Sequence, residues 1–302
     1  FGWLFSERLI FLPHPPSYKD DPSTIKLKTA SGVTVTAHRY GPEDAAWTIL
    51  FSHGTPEWSF GWRDIVKGLR GHYRCIAPDL LGFGLSDKPA GADYSVAAHA
   101  RRMALFIENL GLKNLHVVGN DFGLSIAFNY VLNRPENVQK ISLFNGWMWP
   151  LDTDPHYARP ARWMRSWLGR QLYLRFNFPV TVVTPAAFGD KKKLTPEVHR
   201  HYKQALPDPE SRRAAYAFSG ELLNATDFWA NQWQQVSILA DKPCLIFWGL
   251  KDKFVPPYEL EKWEKALPNA RVIRFEQAGH FVQEEEPERM VEEILRHFTG
   301  EP

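Results

Sequence analysis

Three polar residues, each standing just after an apolar run, have the types and order needed for nucleophilic hydrolysis. Asp121 lies in Gly119-Asn120-Asp121-Phe122-Gly123, after Leu115-His116-Val117-Val118. Asp252 follows the run from Cys244 to Gly249. His280 follows the run from Val272 to Glu276, through Gln277-Ala278-Gly279. A carboxylate with an ordinary pKa near ~3.9 is ionised at neutral pH, so Asp121 needs no base before it attacks carbon. His280 is then free to take a proton from water, which attacks the carbonyl carbon of the ester formed on Asp121. Asp252 would fix the imidazole tautomer and stabilise the imidazolium. The tetrahedral intermediate needs donors. The backbone N–H groups of Phe122 and of Thr55, in His53-Gly54-Thr55-Pro56, are the candidates for that oxyanion hole. A carboxylate nucleophile also selects its substrate. Attack on an sp³ carbon gives an ester that water can hydrolyse, whereas attack on a carboxylic ester gives a less favourable anhydride, so alkyl halides and epoxides are the better candidates. Each residue alone has a bland reading: Asp121 as a helix N-cap, His280 as a surface loop residue, His53 to Pro56 as a tight turn. Three in this order, each after a strand, are hard to obtain by chance. The rival position for the acid, after the preceding strand, holds Asn145.

Placing these residues together requires strands that end near one another. The stretch around Asp121 reads as strand, sharp turn and helix. Its glycines are needed because side chains flanking a strained central residue would collide with the neighbouring strand and helix. Thr24 to Thr29 and Val33 to Tyr40 alternate and read as an antiparallel hairpin across Ala30-Ser31-Gly32. Strands are expected at Trp47 to Ser52, Tyr73 to Pro78, Leu115 to Val118, Val138 to Phe144, Lys242 to Gly249 and Arg271 to Glu276. Helices are expected at about Trp62 to Gly71, Ser95 to Leu110, after Asp121 to Asn133, Tyr258 to Leu267 and Pro287 to Phe298. Strand and helix in alternation mean an α/β fold, a mostly parallel sheet with helices on both faces. The rhythm breaks after Trp147, where helical patches rich in proline and aromatics replace it. The expected organisation is therefore a core of residues 1–147 and 229–302, interrupted by a helical cap of residues 148–228.

The chain has 302 residues, 44% of them hydrophobic, and a net charge of +2. That balance gives no reason to expect a nucleic-acid partner. Short charged runs such as Lys191-Lys192-Lys193 and Glu284-Glu285-Glu286 read as solvated faces. No apolar run reaches the ~18 residues of a membrane span, and no membrane partner is expected. Phe1 to Leu12 is apolar but lacks a basic region and a small-residue cleavage site, so no signal peptide is expected. Cys75 and Cys244 read as small core residues of strands, and no His/Cys cluster has zinc spacing. The expectation is a cytoplasmic monomer or small homo-oligomer that uses water and no metal or organic cofactor. Aromatics make up 14% of the chain, with 12 Trp, many of them between Trp147 and Trp233. An apolar lid over a small apolar substrate follows.

At these residues the chain resembles the α/β-hydrolase superfamily, and in particular haloalkane dehalogenases of the Asp-Asp-His type. The resemblance is carried by His53-Gly54-Thr55-Pro56-Glu57-Trp58-Ser59-Phe60-Gly61-Trp62-Arg63, by Ala77-Pro78-Asp79-Leu80-Leu81-Gly82-Phe83-Gly84-Leu85-Ser86-Asp87, by Asn145-Gly146-Trp147-Met148-Trp149, and by Pro207-Asp208-Pro209-Glu210-Ser211-Arg212-Arg213. It implies cleavage of a carbon–halogen bond. Two positions depart from the pattern. Dehalogenases usually carry Trp directly after the nucleophile, where its indole N–H holds the departing halide, and Phe122 has no donor. Some members use Asn where this chain has Thr55. Candidates for binding substrate or the leaving group are therefore Asn145, Trp147, Trp149, Trp163, Trp167, Tyr173 and Tyr216. The runner-up is an epoxide hydrolase with the same triad, whose leaving alkoxide would take a hydrogen bond from cap tyrosines among Tyr157, Tyr173, Tyr202 and Tyr216. Two tyrosine hydroxyls converging over Asp121 would favour that chemistry, and a Trp N–H there would favour dehalogenation. A non-catalytic relative that only binds a small apolar ligand is the alternative from another class.

Overall fold

The computed structural model describes residues 23–29 and 32–299; the apolar segment Phe1 to Leu12 and residues Ala30 and Ser31 of the hairpin turn lie outside them. The sheet begins with the expected hairpin, β1 (Thr24–Lys28) and β2 (Thr34–Tyr40), in register from Thr24↔His38 to Lys28↔Thr34. It continues with β3 (Thr48–Ser52), β4 (Arg74–Pro78), β5 (Leu115–Asn120), β6 (Val138–Phe144), β7 (Cys244–Gly249) and β8 (Arg271–Phe275). The spatial order is β1-β2-β4-β3-β5-β6-β7-β8. The pairs β1–β2 and β2–β4 are antiparallel and the rest are parallel. Every residue of β3, β5 and β7 is buried. Near-continuous apolar runs of this kind belong to central parallel strands that need helices over both faces. Cys75 and Cys244 are buried in β4 and β7.

The order of the strands decides where a site can form. β3 lies between β4 and β5, so the chain leaves it first to one side and later to the other. Open α/β sheets bind ligands outside the carboxyl ends of strands at such a reversal. The pairing Ser52↔Gly119 sets His53-Gly54-Thr55 beside Asn120 and Asp121. β5 runs two residues past Val118, where the apolar run stops, because Gly119 and Asn120 pair with Leu143 and Phe144 of β6.

The core helices are α1 (Arg63–Leu69), α2 (Val96–Asn109) and α3 (Asp121–Asn133), with a 3₁₀ turn at Ser59–Trp62 ahead of α1. Ser95 starts α2 by accepting a hydrogen bond from the Ala98 N–H. Between β6 and β7 come only helices: α4 (Pro155–Met164), α5 (Trp167–Phe176), a π-helical turn at Pro179–Val183, α6 (Thr184–Ala187), α7 (Pro196–Ala205), α8 (Arg213–Asn224), α9 (Thr226–Gln234) and α10 (Ser237–Ala240). Asp154 and Ser166 cap α4 and α5. α9 runs across residue 228, and Gln232 on it donates to the Ser125 carbonyl of α3 at 2.7 Å. After β7 come α11 (Pro257–Ala266), and after β8 α12 (Val282–Glu285) and α13 (Pro287–Thr299). Among the described residues no helix is long and apolar enough to cross a membrane.

Candidate active site

Asp121 has φ 50°, a left-handed backbone that non-glycine residues adopt only under constraint. The flanking glycines supply that constraint. A Cβ on Gly123 would lie 2.3 Å from the His53 carbonyl oxygen, and one on Gly119 would lie 2.6 Å from the Leu124 Cα. Strand, turn and helix can pack this closely only without those side chains. The Asp121 carboxylate therefore stands at the N-terminus of α3, where backbone donors favour negative charge.

The two oxygens of Asp121 have different neighbours. Oδ1 accepts from the Thr55 backbone N–H at 3.0 Å. Oδ2 lies 3.3 Å from His280 Nε2. The Phe122 N–H belongs to the first turn of α3, where donors have no intrahelical acceptor. On the other side of the imidazole, Nδ1 is 2.7 Å from Asp252 Oδ2. Burial opposes a charge on His280, but the Asp252 and Asp121 carboxylates outweigh it and hold its pKa well above the ordinary value. Asp252 is fixed in turn. Its Oδ1 accepts from the N–H groups of Phe254 and Val255 at 2.7 and 3.1 Å, and its Oδ2 accepts from the Asn145 amide at 2.7 Å.

Asn145 is thus spent on the acid. The β6–β7 pairing sets it beside Gly249, whose N–H it accepts at 2.9 Å, and it does not line the cavity. That removes it from the residues expected to touch substrate. The run Glu284-Glu285-Glu286, expected to be a solvated face, also departs from expectation. Glu284 is paired with Arg63 at 2.6 Å and accepts from Tyr202 at 2.6 Å, and Glu285 is buried. Glu285 accepts from the N–H groups of Gly279, Gly189 and Asp190 at 2.7, 3.1 and 2.7 Å. It so ties the His280 loop to the segment after α6, whose Ala187 carbonyl accepts from the His280 N–H. His53 is neutral, its pKa lowered by burial. Its Nε2 accepts from the Leu80 N–H at 2.9 Å and its Nδ1 then donates to the Gly54 carbonyl at 2.8 Å, which stiffens the Thr55 loop. Glu57, which sequence reasoning passed over although it sits two residues from Thr55, is buried and accepts from Gln283 at 3.0 Å.

A cavity of about 420 Å³ opens above Asp121 and His280. Among the expected contacts, Trp147, Trp163 and Tyr173 line it, together with Phe122, Leu222 and Phe281. Trp149 does not; it packs against the Trp233 and Trp263 rings, at 4.9 and 5.3 Å. Trp167 points to solvent, and Tyr216 stands behind Tyr173 with ring centroids 5.6 Å apart. Trp147 meets the Phe122 ring edge-on at 5.0 Å, and its buried indole N–H has no hydrogen-bond partner. Tyr157 and Tyr202 donate to Glu259 and Glu284, so neither hydroxyl is available to a substrate above Asp121. The Tyr173 hydroxyl lies beside Thr55. Burial first, and then the Asp121 charge, raise its pKa, so it stays a donor.

The family model for the alpha/beta hydrolase fold matches residues 48–287. The chain is an α/β-hydrolase. It belongs among the haloalkane dehalogenases of that family: it is 35% identical over 261 residues to haloalkane dehalogenase 2 of Mycobacterium tuberculosis (strain ATCC 25618 / H37Rv), an alignment covering 86% of this chain and 90% of that protein. It is 28% identical over 304 residues to the cis-3-alkyl-4-alkyloxetan-2-one decarboxylase of Xanthomonas campestris pv. campestris, covering 95% and 99% of the two chains. The crystal structure of a putative ancestral haloalkane dehalogenase superposes with a TM-score of 0.81 at 28% identity, covering 91% of this hydrolase and 98% of that chain.

Proposed function

We propose that this hydrolase cleaves carbon–halogen bonds in small apolar haloalkanes through an alkyl ester on Asp121. The observation that carries the reading is the division of labour at the Asp121 carboxylate. Oδ1 is held by the Thr55 N–H, while Oδ2 faces His280 at the floor of an apolar cavity. Oδ2 attacks the carbon bearing halogen; the new C–O bond forms as the C–X bond breaks and halide departs with the electron pair. Esterification removes the negative charge beside His280. Its proton affinity falls, it releases its proton, and it becomes the base for water. Water adds to Asp121 Cγ, giving its proton to His280 Nε2. Charge develops on Oδ1, between the Thr55 and Phe122 N–H groups. Collapse expels the alcohol and restores the carboxylate. The net products are alcohol, halide and one proton. The apolar lining favours a substrate with little polarity of its own, and Trp147, whose ring borders the cavity, is the donor for a departing halide once its N–H turns inward, Phe122 offering none.

Tyr173 favours a second reading. Its hydroxyl beside Thr55 suits a leaving oxygen that stays tethered to the carbon skeleton, as in epoxides or in the oxetanones named for the Xanthomonas relative. One trapping experiment separates the readings. A His280→Phe variant keeps the nucleophile and lacks the base, so the ester accumulates. Mass spectrometry after incubation with mixed bromoalkanes and epoxides should find an alkyl adduct on the Asp121 peptide. An adduct of whole epoxide mass would transfer the assignment to ring opening. No adduct from either pool, with the variant folded, would overturn the covalent mechanism and leave a binding protein.

A further inference from the structure

The charge of the chain is unevenly placed. Residues 155–189 hold five arginines, Arg159, Arg162, Arg165, Arg170 and Arg175, and no Asp or Glu, and Lys191-Lys192-Lys193 follows closely. That +5 within a whole-chain net charge of +2 leaves −3 for all other residues. Arg165 is engaged with the Asn224 side chain at 2.9 Å. Among the described residues, no carboxylate is in salt-bridge range of the other four. The same two helices expose large apolar side chains: Trp167 is 76% exposed, Phe176 67%, Leu168 51% and Trp163 45%. α5 is amphipathic in an unusual sense. Its inner face buries Gly169 and Tyr173, with Tyr173 on the cavity wall, and its outer face carries Trp167, Leu168, Arg175 and Phe176. Trp163 and Phe178, whose rings are 6.1 Å apart, line the cavity. Trp163 is also part of the exposed patch, so the patch adjoins the mouth.

Exposed Trp, Leu and Phe mixed with Arg are the side chains that bury into the headgroup boundary of a bilayer, the arginines meeting anionic lipid. We propose that the outer face of α4 and α5 docks on an anionic lipid surface, so that a lipophilic substrate passes from the bilayer into the cavity without crossing water. Charge complementarity favours this occupant: the cap is cationic and the remainder of the chain anionic, which orients the cap toward a negative surface. The proposal concerns peripheral contact, which needs no membrane-spanning helix.

The test is co-sedimentation of the full chain with vesicles rich in phosphatidylglycerol, against vesicles of phosphatidylcholine alone, at low and high salt. Binding needs no turnover, so it stands or falls apart from the chemistry proposed above. Wild-type protein should bind the anionic vesicles at low salt and release at high salt. Each arginine changed to Gln, at Arg170 or Arg175, should weaken binding about fivefold. The double variant Trp167→Ser/Phe176→Ser should lose binding while hydrolysing a water-soluble haloalkane as the wild type does, since neither residue lines the cavity. Equal sedimentation of wild type and double variant would overturn the proposal. So would a dimer in solution that the double variant abolishes, because the patch would then be covered by a second copy of the chain.

Discussion

Glu57 offers the sharpest quantitative test of how the site is charged. Its carboxyl is buried, with Oε1 accepting from Gln283 and the Asn120 side chain close by. Burial first of all, with Asp121 and Glu284 adding to it against the pull of His280, pushes its pKa up to about 8 from 4.5. The folded state thus holds a proton on Glu57 that the unfolded chain releases above about pH 4.5. The sign follows: the stabilising contribution is complete below the unfolded pKa and is lost as pH rises through the folded one. Replacing Glu57 by Gln keeps the shape and the Gln283 hydrogen bond but removes the titration. Chemical denaturation of both proteins should give matching stabilities, apart from a constant offset, near pH 4.5. Above that the variant should gain on the wild type by about 1.4 kcal/mol per pH unit, levelling off near pH 8 at up to about 5 kcal/mol. Function should follow the same group. Ionised Glu57 adds negative charge beside the His280 pair and strengthens its hold on the proton, so wild-type ester hydrolysis should weaken above about pH 8 and that limb should vanish in Glu57→Gln. A stability difference that stays flat across this pH range would refute the claim that Glu57 is buried with its proton.

Two further substitutions probe the leaving group and the acid. Trp147→Phe keeps the ring against Phe122 and deletes the donor. Single-turnover kinetics should show alkylation of Asp121 slowed ~10–150-fold, the worth of about 1.5–3 kcal/mol for a hydrogen bond to a charged group, with hydrolysis of the formed ester unchanged; unaltered alkylation would remove Trp147 from the halide site. Asn145→Ala strips the amide from Asp252 and leaves the Gly249 N–H unpaired. It should cost about 1–3 kcal/mol in thermal or chemical stability and slow ester hydrolysis more than alkylation; the reverse order of effects would place Asn145 on the substrate side.

Position in the sequence is enough to bring residues together where strand order alone determines geometry. Asp121, Asp252 and His280 each follow a strand of the parallel part of the sheet, and such a sheet brings the carboxyl ends of its strands to one side. Residues at those ends meet whatever the intervening chain does. The register of β3 on β5 does the same for Thr55. The cap offers no such rule, because the rotation of each helix is set by what it packs on. Trp147 and Trp149 are two residues apart; one lines the cavity and the other joins an edge-to-face cluster with Trp233 and Trp263. Trp163 and Trp167 are four apart, and a continuous helix would set them on one face. The chain breaks at Ser166, which caps α5, so only Trp163 reaches the cavity. The glutamates from Glu284 to Glu286 misled for a related reason. A short acidic run normally faces water, but α12 is a four-residue helix wedged between His280 and α13, and its Glu285 is consumed by three backbone N–H groups, one from the His280 loop and two from the cap.

The departure at Phe122 shows how a family pattern and a structure constrain each other. A Trp directly after the nucleophile would present its donor from the first turn of α3. Phe122 occupies that place with its ring against Trp147, Phe218 and Trp229, at 5.0, 4.7 and 6.2 Å. Trp147 reaches the same aromatic cluster from the end of β6, and Trp229 from α9, both with an indole N–H that has no partner. Only Trp147 also lines the cavity. A buried donor left unmade costs about 1–3 kcal/mol, and of the unpartnered indoles Trp147 is the one whose ring borders the cavity above Asp121, where an acceptor could meet it. Were the indole to turn its N–H toward the cavity as substrate binds, this aromatic wall would hold halide by charge–dipole attraction without competing with Asp121 for protons. The donor would then have moved from the helix after the nucleophile to the strand end beside it, and the chemistry at Asp121 would be unchanged.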